Sequence, residues 1–386
     1  MDQQTALKLF EEGGVFVFLN VPEGTVFGID MKSWNTGEKF RGVKMIPPGI
    51  HYIFYSAAND SGDVAPRTGF FHNFRQSEML VKKWDEKLEG MSEEPVSEEE
   101  IVRLKDNIKS LDGFLGPYPY NIHERWKTLS SNMNESLIKR LTPLNGQISS
   151  ALELQSPTDA ERPRGIKKDI KNSEPVPGTS MSDNSSSSTK RMKLSDNPED
   201  AFLPKLKVKD GTELRLTKFP ERNYPEGSSP SEITRHSLDS SYVLDFMVSK
   251  YSNPMDLIGE LEFAYICFLV GHSLEAFDHW KKLFVLFCSC EVGLKKHRKL
   301  YDAFIDVIDV QIKEVPEEFL ADIVTNNNII YVKLRNLFRT IQGSEIDGQL
   351  KSKTERFQQS LTQSFYWDFE HLESEDEDEA PVIIHM

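Results

Sequence analysis

The sequence predicts an α+β protein of two domains: an N-terminal antiparallel β-sandwich or barrel-like domain with two helices, then a C-terminal all-α superhelical domain. Short aromatic and β-branched runs crowd the chain as far as Trp84, separated by Gly, Pro and Asn breakers. Apolar residues then recur at three- and four-residue spacing, first after Ser97 and again after Ser229. Between these patterns, from about Pro143 to Pro204, periodicity gives way to Ser-, Pro- and Asp-rich sequence. The boundaries that follow are 1–143 for the β-rich domain, 144–204 for a disordered linker, 205–369 for the helical domain, and 370–386 for an acidic tail ending in a strand-forming peptide.

In the first domain, Val15 to Val21 is a nearly continuous apolar run closed by Pro22-Glu23-Gly24, the pattern of a buried strand entering a turn. Ile50 to Tyr55, Gly69 to Phe74 and Met79 to Trp84 carry aromatics on both faces, with breakers at Asn35-Thr-Gly37, Pro48-Gly49 and Ser61-Gly62. Proline fixes φ and glycine accepts positive φ, so Pro48-Gly49 suits the centre of a type II turn. Ser97 and Glu100 make a capping-box pattern ahead of Ile101, Leu104, Ile108 and Leu111. A second helix is expected over Asn121 to Leu141, with Ile122, Trp126, Leu129, Met133 and Leu137 on its buried face.

In the second domain, Ser229-Pro-Ser-Glu232 combines a capping serine, a first-turn proline and a glutamate three residues on. The helices expected from there are 230–250, 255–271, 273–290, 294–314, 317–325, 328–342 and 349–366, broken at Asn253-Pro254, Gly271, Gly293 and Pro316. Glu260 to Val270 is apolar nearly all round and belongs at the centre, with the stripe Leu274, Phe277, Trp280, Phe284 and Phe287 on a half-buried neighbour. No sustained heptad appears, which favours a superhelical array over a coiled coil.

The net charge is −15, and eight of the acids fall between Asp368 and Glu379. Such a balance does not suit a phosphate-backbone binder, so no direct nucleic-acid contact is expected. Cys267, Cys288 and Cys290 sit in apolar helical sequence without a framework spacing, which predicts free thiols in a reducing compartment. With no signal core at the N-terminus and no apolar span near the ~20 residues a membrane requires, a soluble intracellular protein is expected.

A Gly-x-Ser-x-Gly elbow, a phosphate-binding Gly-x-x-x-x-Gly-Lys loop and a Gly-x-Gly-x-x-Gly turn are all missing from the sequence. Asp30, His51 and a serine make no triad that spacing alone supports. His272, Glu275 and His279 could converge on one helix face as metal ligands, but a polar face beside the Leu274/Phe277/Trp280 stripe explains the same spacing. Cys288 and Cys290 point to divergent sides of a helix and read as core thiols. The residues therefore predict no catalytic set, no cofactor and no metal. A hydrolase or metal-dependent enzyme using the Pro47-Pro48-Gly49 region or the His272 face stays the rival reading, alongside a trafficking or scaffold adaptor that binds peptides on its helical array.

Two segments outside the folded regions bear on binding. After the acidic run, Pro381 to Met386 is a short apolar strand former with nothing of its own to pair with. Val382, Ile383, Ile384 and Met386 are the candidate partner-binding residues, suited to adding a strand to another protein's sheet edge. A frayed terminus, or a strand folded back on its own first domain, accounts for the same residues. Within the linker, Ser185, Ser186, Ser187 and Ser188 are candidate phosphorylation sites, followed by the basic run Lys190-Arg-Met-Lys193, which reads as a nuclear-import signal or as part of a solvated tether.

Residues 40 to 56, Phe-Arg-Gly-Val-Lys-Met-Ile-Pro-Pro-Gly-Ile-His-Tyr-Ile-Phe-Tyr-Ser, together with Thr25-Val-Phe-Gly-Ile-Asp30 and Phe114-Leu-Gly-Pro-Tyr-Pro-Tyr120, closely resemble the A1-alpha2-repression family of splicing factors. Glu232-Ile-Thr-Arg-His-Ser237, Glu260-Leu-Glu-Phe-Ala-Tyr265, Glu275-Ala-Phe-Asp-His-Trp-Lys281 and Phe365-Tyr-Trp-Asp-Phe369 look like its helical-domain motifs, so the resemblance covers all but the linker. It implies a non-enzymatic assembly factor of the U5 small nuclear ribonucleoprotein. Such a factor would hold the large central spliceosomal protein through its RNase-H-like and MPN-like domains and keep the particle's RNA helicase off until maturation, with phosphorylation prompting release. It further implies a protein of cytoplasm and nucleus, a monomer when free.

Overall fold

A computed structural model describes residues 3–59, 61–152, 154–155, 207–315, 329–346 and 348–369. The first half opens with α1 (Gln3–Glu12), β1 (Gly14–Leu19), β2 (Val26–Ile29), β3 (Lys32–Asn35), β4 (Gly42–Ile46), β5 (Gly49–Ser56), β6 (Thr68–Phe74), β7 (Met79–Asp85) and β8 (Gly90–Met91). It continues through α2 (Glu98–Asp106), α3 (Ile108–Leu111), β9 (Leu115–Pro117), α4 (His123–Leu129), α5 (Glu135–Leu141) and β10 (Ile148–Ser149). Two five-stranded sheets result, ordered β8-β7-β1-β4-β9 and β10-β6-β5-β2-β3.

The apolar run after Gly14 becomes the central strand β1, buried along nearly its whole length. Alternation splits it between two cores. Phe16 and Phe18 face the second sheet, packing with Phe27, Phe70 and Trp84, whereas Val15 and Val17 face outward with Met79 and Val81. Ile101, Leu104, Ile108 and Leu111 cover that outer face, partly buried, but the one helix expected behind the Ser97 cap is two, α2 and α3, parted at Asn107. Gly42 is required where β4 crosses β1: it holds φ +141°, and a Cβ there would collide with the Phe16 carbonyl.

The second sheet is antiparallel throughout, but the first is mixed: β1 pairs parallel with β7, and β4 parallel with β9. Both parallel partners lie far apart in sequence, which is what the long crossover of a parallel pair demands. At the Pro47-Pro48-Gly49 corner the chain bends without forming the type II turn. Gly49 has φ +137°, far from the about +80° of that turn, and already pairs with Phe74 as the first residue of β5.

The second half is α6 (Pro230–Leu238), α7 (Ser241–Ser249), α8 (Asp256–Leu269), α9 (Leu274–Cys288), α10 (Glu291–Lys296), α11 (Arg298–Glu314), α12 (Ile329–Gly343) and α13 (Gly348–Phe365). As its composition requires, α8 is buried from Leu257 to Phe268, with α9 and α11 against it. At the start of α6 the capping box closes in both directions: Ser229 Oγ accepts from Glu232 N–H, and the Glu232 carboxylate accepts from Ser229 N–H.

Several predicted helix limits move for identifiable reasons. The single helix expected over 121–141 is two, because Asn134 caps α5 by accepting from Leu137 N–H at 2.9 Å and the turn before it is held by Glu262. The helix expected over 230–250 breaks where Asp239 turns its carboxylate to the N–H groups of Ser241 and Glu291. Gly293 does not break a helix; it lies inside α10, where an added Cβ would sit 2.9 Å from the Leu244 side chain. The helix expected over 317–325 lies outside the described residues.

Both halves belong to one compact unit, and residues 152–210 form another, in which β11 (Leu154–Gln155) pairs antiparallel with β12 (Lys207–Val208). Within the first unit, the outer face of the second sheet and the central helix share a core. Tyr52, Phe54, Trp126, Leu137, Phe263 and Ile266 are all buried in one cluster.

Candidate functional site

The chemistry-bearing residues of the first half gather under the proline corner. Asp30 and His51 are fully buried, with His51 Nδ1 at 2.8 Å from Asp30 Oδ2, Tyr118 O–H donating to that same oxygen at 2.6 Å, and Tyr52 N–H donating to Oδ1 at 3.0 Å. His51 Nε2 lies 2.8 Å from the Pro47 carbonyl oxygen, a pure acceptor, so that nitrogen carries a proton. The nitrogen that a triad would point at a nucleophile is thus committed to backbone. Burial, and then the Asp30 carboxylate, push the Tyr118 phenol well above its ordinary pKa. The cluster fastens β2, β5 and the corner before β5 to Tyr118 just beyond β9, and has no serine in it.

The His272/Glu275/His279 set does not converge. His272 precedes α9 at φ +59° in the turn after α8, Glu275 is in the first turn of α9, and His279 is buried with Nε2 3.0 Å from Glu260 Oε1. Glu260 also accepts from Thr217 N–H at 2.6 Å and from the Tyr251 hydroxyl. Burial raises that carboxyl's pKa, yet the hydrogen bonds and the His279 charge outweigh it and hold Glu260 below the usual range. Among the described residues no group of three or more His, Cys, Asp or Glu side chains is arranged to hold a metal ion. Cys267, Cys288 and Cys290 are buried free thiols, and burial pushes Cys290 up to about 12.

Sequence reasoning missed the seam between the halves. Trp126 donates from Nε1 to the Ile50 carbonyl at 2.7 Å, Arg67 reaches the Val270 carbonyl at 2.5 Å, and Arg125 forms a two-pronged pair with Glu314. Arg140 lies 4.0 Å over the Tyr251 ring while donating to Thr217 Oγ1 at 3.1 Å. Gly259 lets α8 pass close to α5, since a Cβ there would meet the Asn132 carbonyl at 2.6 Å. Only the residue types were visible beforehand, because periodicity shows that a face is buried and not what buries it.

The described chain ends on an anchored root. Trp367 and Phe369 are buried against Tyr331 and Phe338; Thr362 Oγ1 donates to the Trp367 carbonyl at 2.9 Å, and Gln358 Nε2 to that of Phe369 at 3.1 Å. Tyr366 between them is 91% exposed at φ +57° and borders a cavity of about 660 Å³ with Gln358, Thr362 and Asp368. Val382, Ile383, Ile384 and Met386 follow this root, and Ser185, Ser186, Ser187 and Ser188 precede the second half; both groups lie outside the described residues.

With this arrangement in view, comparison with known proteins is specific. Residues 12–143 match the family description "AAR2 N-terminal domain", and residues 216–370 match "AAR2 C-terminal repeat region". The human and mouse proteins called "Protein AAR2 homolog" are each 38% identical over 390 residues, covering 100% of this chain and 97% of theirs. The Caenorhabditis elegans protein of that name is 34% identical over 94% of this chain and 96% of its own. Matched in both halves by the family models, and over its whole span by relatives that it covers to 97%, the chain belongs to the AAR2 family.

Proposed function

We propose that this protein is a non-enzymatic pre-mRNA splicing factor, an assembly chaperone of the U5 small nuclear ribonucleoprotein. It grips the large central protein of that particle through the RNase-H-like and MPN-like domains and holds the RNA helicase away until maturation. The observation that carries this reading is family membership over the full length, including the Phe365-Tyr-Trp-Asp-Phe369 root. The geometry agrees in kind. Asp30, His51 and Glu260 are spent on internal hydrogen bonds, and the helical half ends on a fixed aromatic root from which Tyr366 faces outward, with acidic and then β-branched sequence following it.

On this reading Val382, Ile383, Ile384 and Met386 add a strand to the partner, phosphate on Ser185 to Ser188 weakens the complex, and the protein works as a monomer in cytoplasm and nucleus. Affinity purification of the full chain followed by mass spectrometry tests it. Recovery of the large U5 protein is the expected result. Recovery of vesicle-coat or cargo proteins in its place would favour the adaptor.

A further inference from the structure

We propose that Arg67 and His272 form an oxyanion-binding pocket on the seam between the sheets and the helices, taking a phosphate or carboxylate group. The pocket has a volume of about 530 Å³ and is lined by Arg67, His272, Ser56 and Ser150, with Val26 and Pro66 beside them. Arg67 is half-buried, its guanidinium carbon 4.2 Å over the Phe54 ring, and one nitrogen donates to the Val270 carbonyl. Its Nε is buried with no hydrogen-bond partner, and among the described residues no carboxylate pairs with it. In a chain with 61 acids against 46 bases, a half-buried guanidinium that faces a pocket without a counter-ion is suited to an anionic ligand.

His272 supplies the second, independent observation. The N–H groups of His272 and Ser273 donate back to Phe268 and Cys267, the geometry of a helix end whose left-handed residue is ordinarily glycine. Gly271 is next door, yet the left-handed position with φ +59° is taken by a histidine, at a steric cost of about 1 kcal/mol, and this places an exposed imidazole beside Arg67. Arg67 and His272 line the same pocket, and because burial, and then the Arg67 charge, lower the His272 pKa, the imidazole meets an oxyanion there as a hydrogen-bond donor and not as a second cation. With one terminal nitrogen given to Val270 and Nε buried, Arg67 has its other terminal nitrogen for an oxyanion, and the hydroxyls of Ser56 and Ser150 can donate to the remaining oxygens.

Titration calorimetry of the full chain with sodium phosphate, and separately with sodium acetate, tests the pocket at constant ionic strength. Saturable binding of phosphate with a Kd of about 1–10 mM is expected; acetate binding alongside it would extend the site to carboxylates, and phosphate alone would restrict it to phosphoryl groups. Arg67→Met should weaken binding at least about tenfold. Because Arg67 also ties the halves together, His272→Gly is the second variant: it suits the left-handed backbone, so the melting temperature should hold or rise while the affinity falls about threefold. Absence of saturable binding of either anion, or unchanged affinity in both variants, would overturn the proposal.

Discussion

Asn132 donates twice to the Glu262 carboxylate, from its backbone N–H at 2.8 Å and from its side-chain amide at 2.7 Å, and so fixes the turn between α4 and α5 to the central helix. Burial raises the Glu262 pKa to about 7 from an ordinary 4.5, against the lowering effect of those bonds. A folded-state value above the unfolded one means that the folded chain holds the proton more tightly. This stabilisation is complete below pH 4.5 and is lost as pH rises through 7. Glu262→Gln removes the titration, so the wild-type advantage over the variant in urea unfolding should shrink by about 2 kcal/mol between pH 5 and 8. A constant difference across that range would show that Glu262 does not titrate there.

The Asp30 cluster predicts a different kind of loss. Asp30→Ala would leave His51 Nδ1, the Tyr118 hydroxyl and Tyr52 N–H facing an empty buried space, at a cost of about 3–5 kcal/mol. Asp30→Asn keeps an acceptor for Tyr52 and tolerates φ +54°, so it should cost less. Equilibrium unfolding of the two variants checks the order; an Asp30→Ala loss within about 1 kcal/mol of wild type would mean that the network is dispensable.

Which parts of this architecture could be read from the residues follows from what each signal encodes. The β1 run and the Ser97 and Ser229 caps are local patterns, and the structure has each where its spacing requires, though Ser97 accepts from Glu100 N–H without the return bond that closes the box at Ser229. The parallel pairing of β1 with β7 was not legible, because side chains alternate with the same period in either direction. Nor was the break at 130–134, whose cause is Glu262, distant in sequence. Asp30 and His51 read as an accidental pair until the fold set them 2.8 Å apart.

The shared core bears on what a cut in the chain between the two halves does. Phe54, Trp126 and Leu137 pack in one cluster with Phe263, Ile266 and Ala276, and Arg215 N–H donates to the Leu141 carbonyl at 2.8 Å. Protease cleavage within 156–206 should therefore leave two pieces that migrate as one particle on size exclusion in native buffer and separate only in denaturant. Separation of the pieces in native buffer would show that the cluster is too weak to hold them. Trp126→Ala, which removes a fully buried ring and its bond to Ile50, should cost about 3–5 kcal/mol and loosen the nicked particle.

The tail prediction rests on the proposed function. Trp367 and Phe369 fix the root, and the sequence beyond it is acidic and then apolar and β-branched from Pro381 to Met386. If that end docks as an added strand, backbone hydrogen bonds are the main contact and the pattern of substitutions separates them from apolar contact alone. Val382→Pro removes an N–H and fixes φ, so it should reduce partner retention in a pull-down about as much as deleting 381–386. Val382→Thr keeps the β-branched shape and the N–H while losing apolar surface, and should retain most of the binding. Neither change should move the melting temperature of the free protein. A deletion that lowers that temperature and leaves retention intact would put the strand on this protein's own sheet, where β3, exposed along its length at the edge of the second sheet, offers the open side.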